Sequence, residues 1–203
     1  SLNKNIKCVG DSTFANCVAL NKINLGYVER VNYRSFYNSA VSNPSFINIT
    51  YIGKEAFSSG NYMGLGSAYV TGKLSIYGGS SIEIDEYAFK GSRLSSIEVS
   101  DSVDDMECGD YAFANVGSTM SVNIMAYGSY GVGAFYNDSI SSITLKPLSF
   151  SENCFANVAN CTGMKLYVPY GDELSADKGA FGGFKVLDGL DFKLIPDDDN
   201  ETD

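Results

Sequence analysis

The sequence predicts a repeat solenoid built mainly of β-strands: a right-handed superhelix with one parallel β-sheet and short turns, 3-10 turns or helical segments between strands. Two observations predict it. A phenylalanine preceded by a small residue recurs at intervals of about 20 to 32 residues, and a short alternating apolar run follows each one. Such a period is typical of stacked coils, because one coil cannot bury its apolar face alone.

The recurring phenylalanines, which we call anchors, are expected to stack inside the solenoid. They are Phe14, Phe36, Phe57, Phe89, Phe113, Phe135, Phe155 and Phe181. The small residues before them are Thr13, Ser35, Ala56, Ala88, Ala112, Ala134, Cys154 and Ala180. Each buried phenylalanine contributes roughly 2 to 3 kcal/mol, so the anchors are predicted to be the main source of stability.

The short runs after the anchors predict one strand per coil, with two side chains facing the core and two facing out. The residues between the inward positions form a predicted outward row: Asn24, Asn48, Ser75, Glu98, Asn123, Thr144 and Tyr167. This row is polar and nearly uncharged. It is either a solvated sheet face or a strip that contacts a protein or glycan, because solenoids bind on their extended regular face.

The third coil carries a long insertion. Residues 58–72 separate Phe57 from the next strand, and they predict a loop that bulges from one side of the solenoid. Tyr62, Tyr69 and Tyr77, on and beside this loop, are the second candidate binding group, because tyrosines and loops are enriched at contacts. The alternative is that these rings pack locally and hold the loop against the solenoid.

The end of the chain is expected to cap the solenoid. Pro169 lacks the N–H that a further strand would need, so the ladder is predicted to stop there. A short helix is predicted from Asp172 to about Lys178, and residues 184–187 and 192–195 are predicted to be final edge strands or apolar plugs. The predicted organisation is one domain at 1–187, of about seven coils with a cap at 169–187, followed by an edge segment and acidic tail at 188–203.

Composition excludes several functions. The net charge of −10 disfavours nucleic acid, since phosphate binding needs clustered Lys and Arg. The absence of histidine removes the commonest general base and metal ligand, so we expect no catalytic residues, cofactor or metal. Asp104 and Asp105, near Glu107 and Asp110, are either a calcium ligand group or a solvated acidic turn. The five cysteines are predicted to be buried free thiols, with a Cys154–Cys161 bridge as the alternative.

Two stretches, Ile82–Val99 and Val103–Ile124, resemble the BspA-like leucine-rich repeat. Tyr87-Ala88-Phe89 and Tyr111-Ala112-Phe113 match the core of its unit, and Leu166–Gly171 matches its closing segment. The resemblance covers about residues 6–187 and implies a leucine-rich-repeat-like superhelix. It also implies an exported or cell-surface protein, in some members one that adheres to host or matrix proteins.

The sequence therefore predicts a non-enzymatic secreted or cell-surface module that binds a protein or glycan ligand on host or neighbouring cells through the outer face of the solenoid. The alternative is a passive structural spacer that displays another domain at the cell surface. No membrane insertion is expected, because no apolar run is long enough to span a bilayer.

Overall fold

The computed structural model describes residues 2–60, 67–169, 175–177, 179–181 and 192–197. These residues form a β-solenoid without a helix in the described part of the chain. The strands are β1 (Cys8–Val9), β2 (Arg30–Val31), β3 (Ser45–Phe46), β4 (Tyr51–Ile52), β5 (Thr71–Ile76), β6 (Ser81–Ile84), β7 (Arg93–Val99), β8 (Asp105–Cys108), β9 (Thr119–Tyr130), β10 (Ser139–Phe150), β11 (Met164–Pro169), β12 (Ser175–Ala176) and β13 (Phe192–Asp197).

All of these strands belong to one parallel sheet, as predicted, but each coil after the first contributes to two ladders within it. The pre-anchor ladder runs through β1, β2, β4, β6 and β8 into the ends of β9 and β10, and then to β12. The post-anchor ladder runs through β3, β5 and β7 into the beginnings of β9 and β10, and then to β11 and β13. The long strands β9 and β10 therefore join the two ladders into a single sheet.

The anchors form one continuous column of stacked rings, which confirms the central prediction. Successive ring centroids lie 5.0 to 5.5 Å apart from Phe14 to Phe181, and neighbouring planes are tilted by 3 to 13°. The six inner rings are fully buried, whereas Phe14 and Phe181 at the two ends are partly buried. Since each aromatic pair adds about 0.5 to 1.5 kcal/mol beyond its burial, the column stabilises every junction between coils.

The turns that carry the anchors also bond from coil to coil. Each anchor N–H donates to the carbonyl of the small residue before the next anchor, as from Phe57 to Ala88 and from Phe89 to Ala112, both at 2.7 Å. The small residue is buried inside the turn in every coil but the first, where Thr13 is exposed, and Ala88 and Ala112 are fully buried. A larger side chain at that position would collide with packed atoms, which explains why only small residues precede the anchors.

Left-handed backbone conformations occur two residues before and two residues after most anchors. Asn16, Asn38, Asn115, Asn137 and Asn157 all stand two residues after an anchor, with φ between 51 and 60°. Asparagine tolerates this region better than other residues with a Cβ, which accounts for its recurrence there. The asparagines also bond to one another: Asn38 Nδ2 donates to Asn16 Oδ1 at 3.0 Å, and Asn137 Nδ2 donates to Asn115 Oδ1 at 2.8 Å.

The end of the solenoid differs from the prediction in two places. The ladder does not stop at Pro169, because β11 includes this proline and pairs with β13 in register from Met164↔Phe192 to Pro169↔Asp197. A proline at the end of a strand removes at most one ladder hydrogen bond, which the other five pairs tolerate. Within the predicted helix, Ser175 and Ala176 form β12 instead and pair with Ser149 and Phe150.

The sheet thus extends past residue 187, where the repeat domain was predicted to end, and β13 is the edge strand expected near residues 192–195. The domain boundary itself stays a prediction. The remainder of the predicted helix and cap (residues 170–174, 178 and 182–187) and the acidic tail after Asp197 lie outside the described residues.

Candidate functional site

Four of the predicted outward residues lie side by side on the post-anchor ladder. The register pairs Ser75 with Glu98, Glu98 with Asn123, and Asn123 with Thr144. The same register continues to Ser45 at one end and, at the other, to Lys165, which pairs in turn with Lys193 of β13. We call the six residues from Ser45 to Lys165 the sheet row: Ser45, Ser75, Glu98, Asn123, Thr144 and Lys165.

The sheet row is close to neutral. Glu98 forms an ion pair with Lys73, which lies two residues before Ser75 on the same strand. Lys165 is exposed and carries the remaining charge of the row. Asn123 is exposed, Thr144 is half-buried and Ser75 is buried, so Asn123 is the uncharged polar side chain in the middle of the row that is most open to solvent.

The other three residues of the predicted row do not lie in it. No strand forms around Asn24, whose Oδ1 accepts a hydrogen bond from the Gly26 N–H at 3.0 Å. Asn48 is exposed and follows β3, which ends at Phe46. Tyr167 lies two residues beyond Lys165 in β11, on the same side of the strand but outside the row. The strand does not continue to Asn48 because Phe46 and Ile49 are both buried. Their spacing of three residues does not fit the two-residue alternation of a strand.

An exposed apolar patch adjoins one end of the sheet row, and we call it the corner patch. Ile47 N–H donates to Gly26 O at 3.2 Å, and Tyr77 N–H donates to Phe46 O at 3.0 Å. These bonds bring Tyr27, Ile47 and Tyr77 into register on three successive coils. Their exposed fractions are 52%, 46% and 41%. Contiguous exposed apolar groups mark contact sites more often than isolated ones.

Two of the displaced asparagines flank the corner patch. A Cβ added to Gly26 would lie 3.3 Å from Asn24 Oδ1 and 3.6 Å from Ile47 Cδ1, so these side chains meet above the glycine. A Cβ added to Gly78 would lie 3.0 Å from Asn48 Oδ1 and overlap the Ile47 carbonyl. Asn24, Asn48 and Tyr77, which were predicted in two separate groups, are therefore gathered at one corner. The sequence does contain a signal for this patch: a large side chain (Tyr27, Ile47 or Tyr77) follows the strand region in three successive coils.

The predicted tyrosine group is not brought together. Tyr69 lies before β5 and Tyr77 follows it, so about 20 Å of strand separates them. The Tyr69 ring packs under Arg93, with the guanidinium carbon 3.9 Å from the ring centroid. Tyr62 lies outside the described residues. Of this group only Tyr77 contributes to the corner patch.

The described residues contain no cluster of three or more Cys, Asp or Glu that could hold a metal ion. In the predicted acidic group, Asp105 and Glu107 are exposed on β8, while Asp110 Oδ1 accepts the Val132 N–H at 2.8 Å. All five cysteines are free thiols, but the predicted burial is wrong for Cys8, which is exposed, and for Cys17, which is half-buried. Burial raises the pKa of the Cys108, Cys154 and Cys161 thiols, which keeps them protonated and poor nucleophiles.

Asp138 is the one ionisable carboxyl group that the described structure buries almost completely. Its Oδ1 accepts the Val116 N–H at 2.8 Å, and its Oδ2 has no hydrogen-bond partner in the described part of the chain. Burial raises the pKa of Asp138 well above its usual value, and the backbone hydrogen bonds oppose this only in part. This carboxyl group therefore makes stability depend on pH.

No helix among the described residues is long and apolar enough to cross a membrane. Neither the curated proteins nor the solved structures include a significant match to this chain. The family model described as the BspA type leucine rich repeat region matches in six copies, over residues 1–66 and 82–172. The residues skipped between these ranges contain all of β5 and the end of the third-coil insertion. The matched ranges include seven of the eight anchors and cover well over half of the chain, which therefore belongs to the BspA-type leucine-rich repeat family.

Proposed function

We propose that this protein is a non-enzymatic binding module, secreted or displayed at the cell surface, that holds a protein or glycan ligand against the sheet row and the corner patch. Membership of the BspA-type family supports a binding role, since leucine-rich repeat solenoids generally serve as binding scaffolds. The family also supports the surface or secreted location. The regular outward face of a solenoid is the surface such scaffolds use.

The corner patch is the observation that carries this proposal. Tyr27, Ile47 and Tyr77 place two aromatic rings and an aliphatic side chain in solvent, next to the nearly neutral sheet row. The centre of a protein contact is depleted of charge and enriched in tyrosine, and a polar rim surrounds it. The corner patch has the composition of such a centre, and the sheet row has that of its rim.

The dimensions require the two surfaces to act together. The post-anchor ladder contains seven strands, so at about 4.8 Å per strand it extends roughly 29 Å along the solenoid. Four residues of strand add roughly 13 Å of width. This area is about half of the roughly 800 Å² that each partner buries in a stable protein complex. A ligand on the sheet row alone would bind weakly, whereas one that also covers the corner patch would reach the usual size.

The test is a binding screen of the purified chain against immobilised extracellular-matrix proteins and mucosal glycans. We expect at least one ligand to bind more tightly than an unrelated protein of similar negative charge. Replacing Ile47 and Tyr77 together by serine should abolish that binding. Val18→Ser is the matched control, because Val18 is 48% exposed but lies outside the corner patch. No binding at high micromolar concentration, or equal loss in the control, would contradict the proposal.

The passive spacer is the second candidate, and the unbroken bonding between coils favours it. The pre-anchor ladder, the post-anchor ladder and the anchor turns all bond adjacent coils, which stiffens the solenoid along its axis. A spacer needs stiffness and no ligand. A negative binding screen, together with a catalytic or anchoring domain adjoining this chain in the full gene product, would favour the spacer over the binding module.

A further inference from the structure

A second concave surface lies on the outer side of the anchor turns, away from the sheet row. It spans the second to fifth coils and encloses about 540 Å³, within the range of roughly 300 to 1,000 Å³ typical of small-ligand sites. We call it the turn-face cleft. Its lining residues are Tyr37, Glu55, Ser58, Ser59, Tyr87, Lys90, Gly91 and Asn115.

The cleft exists because one coil has a small residue where its neighbours have large ones. The position directly after the anchor holds Tyr37 in the second coil, Ser58 in the third and Lys90 in the fourth. Coils stack about 4.8 Å apart, so Tyr37 and Lys90 stand roughly 10 Å from each other with only Ser58 between them. A Cβ on Gly60 would overlap the Tyr37 hydroxyl, so the ring leans over the third coil and walls the cleft.

The cleft carries one cation without a carboxylate partner. Arg34 is paired with Glu55, with Nε 2.7 Å from Oε2, and Lys54 Nζ lies 2.5 Å from Glu86 Oε2. Lys90 Nζ lies 4.5 Å from the Tyr87 ring centroid, and no carboxylate of the described residues is within ion-pair distance. These five charged groups sum to one positive charge on a protein of net charge −10. The cleft therefore favours an anion over a cation or a second acidic surface.

Neutral hydrogen-bonding groups complete the cleft. Ser59 Oγ is buried and has no partner among the described residues. Asn115 Oδ1 accepts from Asn137 Nδ2 at 2.8 Å, which leaves the Asn115 amide NH₂ to donate. A small inorganic anion would use the lysine but would fill little of the volume. A ligand with a ring, several hydroxyl groups and a carboxylate would use the lysine, the Asn115 amide and more of the volume.

From this geometry we propose that the turn-face cleft binds a sugar acid. The carboxylate meets Lys90, the ring packs against Tyr37, and the hydroxyl groups bond to Asn115. The cleft shares none of its lining residues with the sheet row or the corner patch. This proposal and the proposed function can therefore fail separately.

The test is an NMR titration of the full chain with glucuronate, with glucose and acetate as matched ligands that lack the charge or the ring. Glucuronate is expected to shift resonances around the cleft at low millimolar concentration, and glucose and acetate to bind at least about tenfold more weakly, because each loses one class of contact. A glucuronate-terminated oligosaccharide distinguishes a glycan end from a free sugar acid. Equal binding of glucose or acetate, or no binding of glucuronate in either form, would overturn the proposal.

Two variants and one control locate the site. Lys90→Gln is expected to weaken glucuronate binding about tenfold, by removing the charge that the carboxylate meets. Lys4→Gln makes the same change in net charge at an exposed position near the chain start, and it should leave binding unchanged. Tyr37→Ala removes one wall of the cleft and should also weaken glucuronate binding, while the circular dichroism spectrum stays that of the parent because Tyr37 is only half-buried. If neither cleft variant changes the affinity, the sugar acid binds elsewhere and the assignment is wrong.

Discussion

Truncation of one inner ring tests the anchor column directly. Phe89 is fully buried, and its centroid lies 5.0 Å from that of Phe57 and 5.2 Å from that of Phe113. Phe89→Ala removes roughly 2 to 3 kcal/mol of burial, two ring contacts of about 0.5 to 1.5 kcal/mol each, and leaves a cavity. Partial collapse of the cavity recovers some of this, so we expect the free energy of unfolding to fall by about 3 to 5 kcal/mol.

Phe14→Ala is the matched control, because Phe14 has one ring neighbour, at 5.1 Å, and is only partly buried. Its loss should be about 1 to 2 kcal/mol, from one ring contact and part of the burial. Urea denaturation is followed by circular dichroism and by the fluorescence of the 14 tyrosines, since the chain has no tryptophan. Equal losses at Phe14 and Phe89, or a loss at Phe89 below about 1 kcal/mol, would refute the stacked-column account.

Three further changes probe the turns and the buried carboxyl group. Because the folded-state pKa of Asp138 is raised, the folded protein favours the protonated carboxyl group. Stability is therefore lost as the pH rises from about 4 towards the folded-state pKa of Asp138. The loss is at most about 1.4 kcal/mol per pH unit. Asp138→Asn should therefore reduce the stability difference between pH 5 and pH 8, and an unchanged difference would exclude Asp138 as its source. Asn137 has a φ of 58° and bonds to Asn115, so Asn137→Ala should cost about 1 to 2 kcal/mol more than Asn137→Gly in urea denaturation. Equal costs would show that the backbone conformation does not matter there. A Cβ on Gly109 would lie 2.8 Å from the Glu86 backbone nitrogen. Gly109→Ala should therefore reduce the free energy of unfolding by about 1 to 3 kcal/mol and lower the melting temperature. An unchanged melting temperature would contradict the close approach.

The anchor column could be predicted because it repeats one residue type with one small neighbour in every coil. Two-residue strands such as β1, β2 and β4 are too short to show an alternating pattern, so the pre-anchor ladder was not predicted. The asparagines two residues after the anchors were visible in the sequence. Their role depends on a left-handed backbone that only aligned coils reveal.

The candidate binding surfaces could be predicted from the sequence only in part. Ser75, Glu98, Asn123 and Thr144 were placed correctly relative to one another, because their strands alternate regularly. The corner patch could not be predicted, since Tyr27 and Ile47 lie on coils whose strands are short or absent, and register there depends on single backbone hydrogen bonds. The turn-face cleft depends on side chains from four coils, and a comparison of residues directly after the anchors could have suggested it.

The coil-to-coil bonding has a mechanical consequence. When the two ends of the chain are pulled apart, tension falls on the terminal coil first, because each coil is held by its immediate neighbour and by no distant part of the chain. Coils would then peel away singly under modest force. Each unfolded coil would release about 22 residues, or roughly 75 Å of extended chain. The solenoid would therefore lengthen to many times its folded length before the last pair of stacked rings separated.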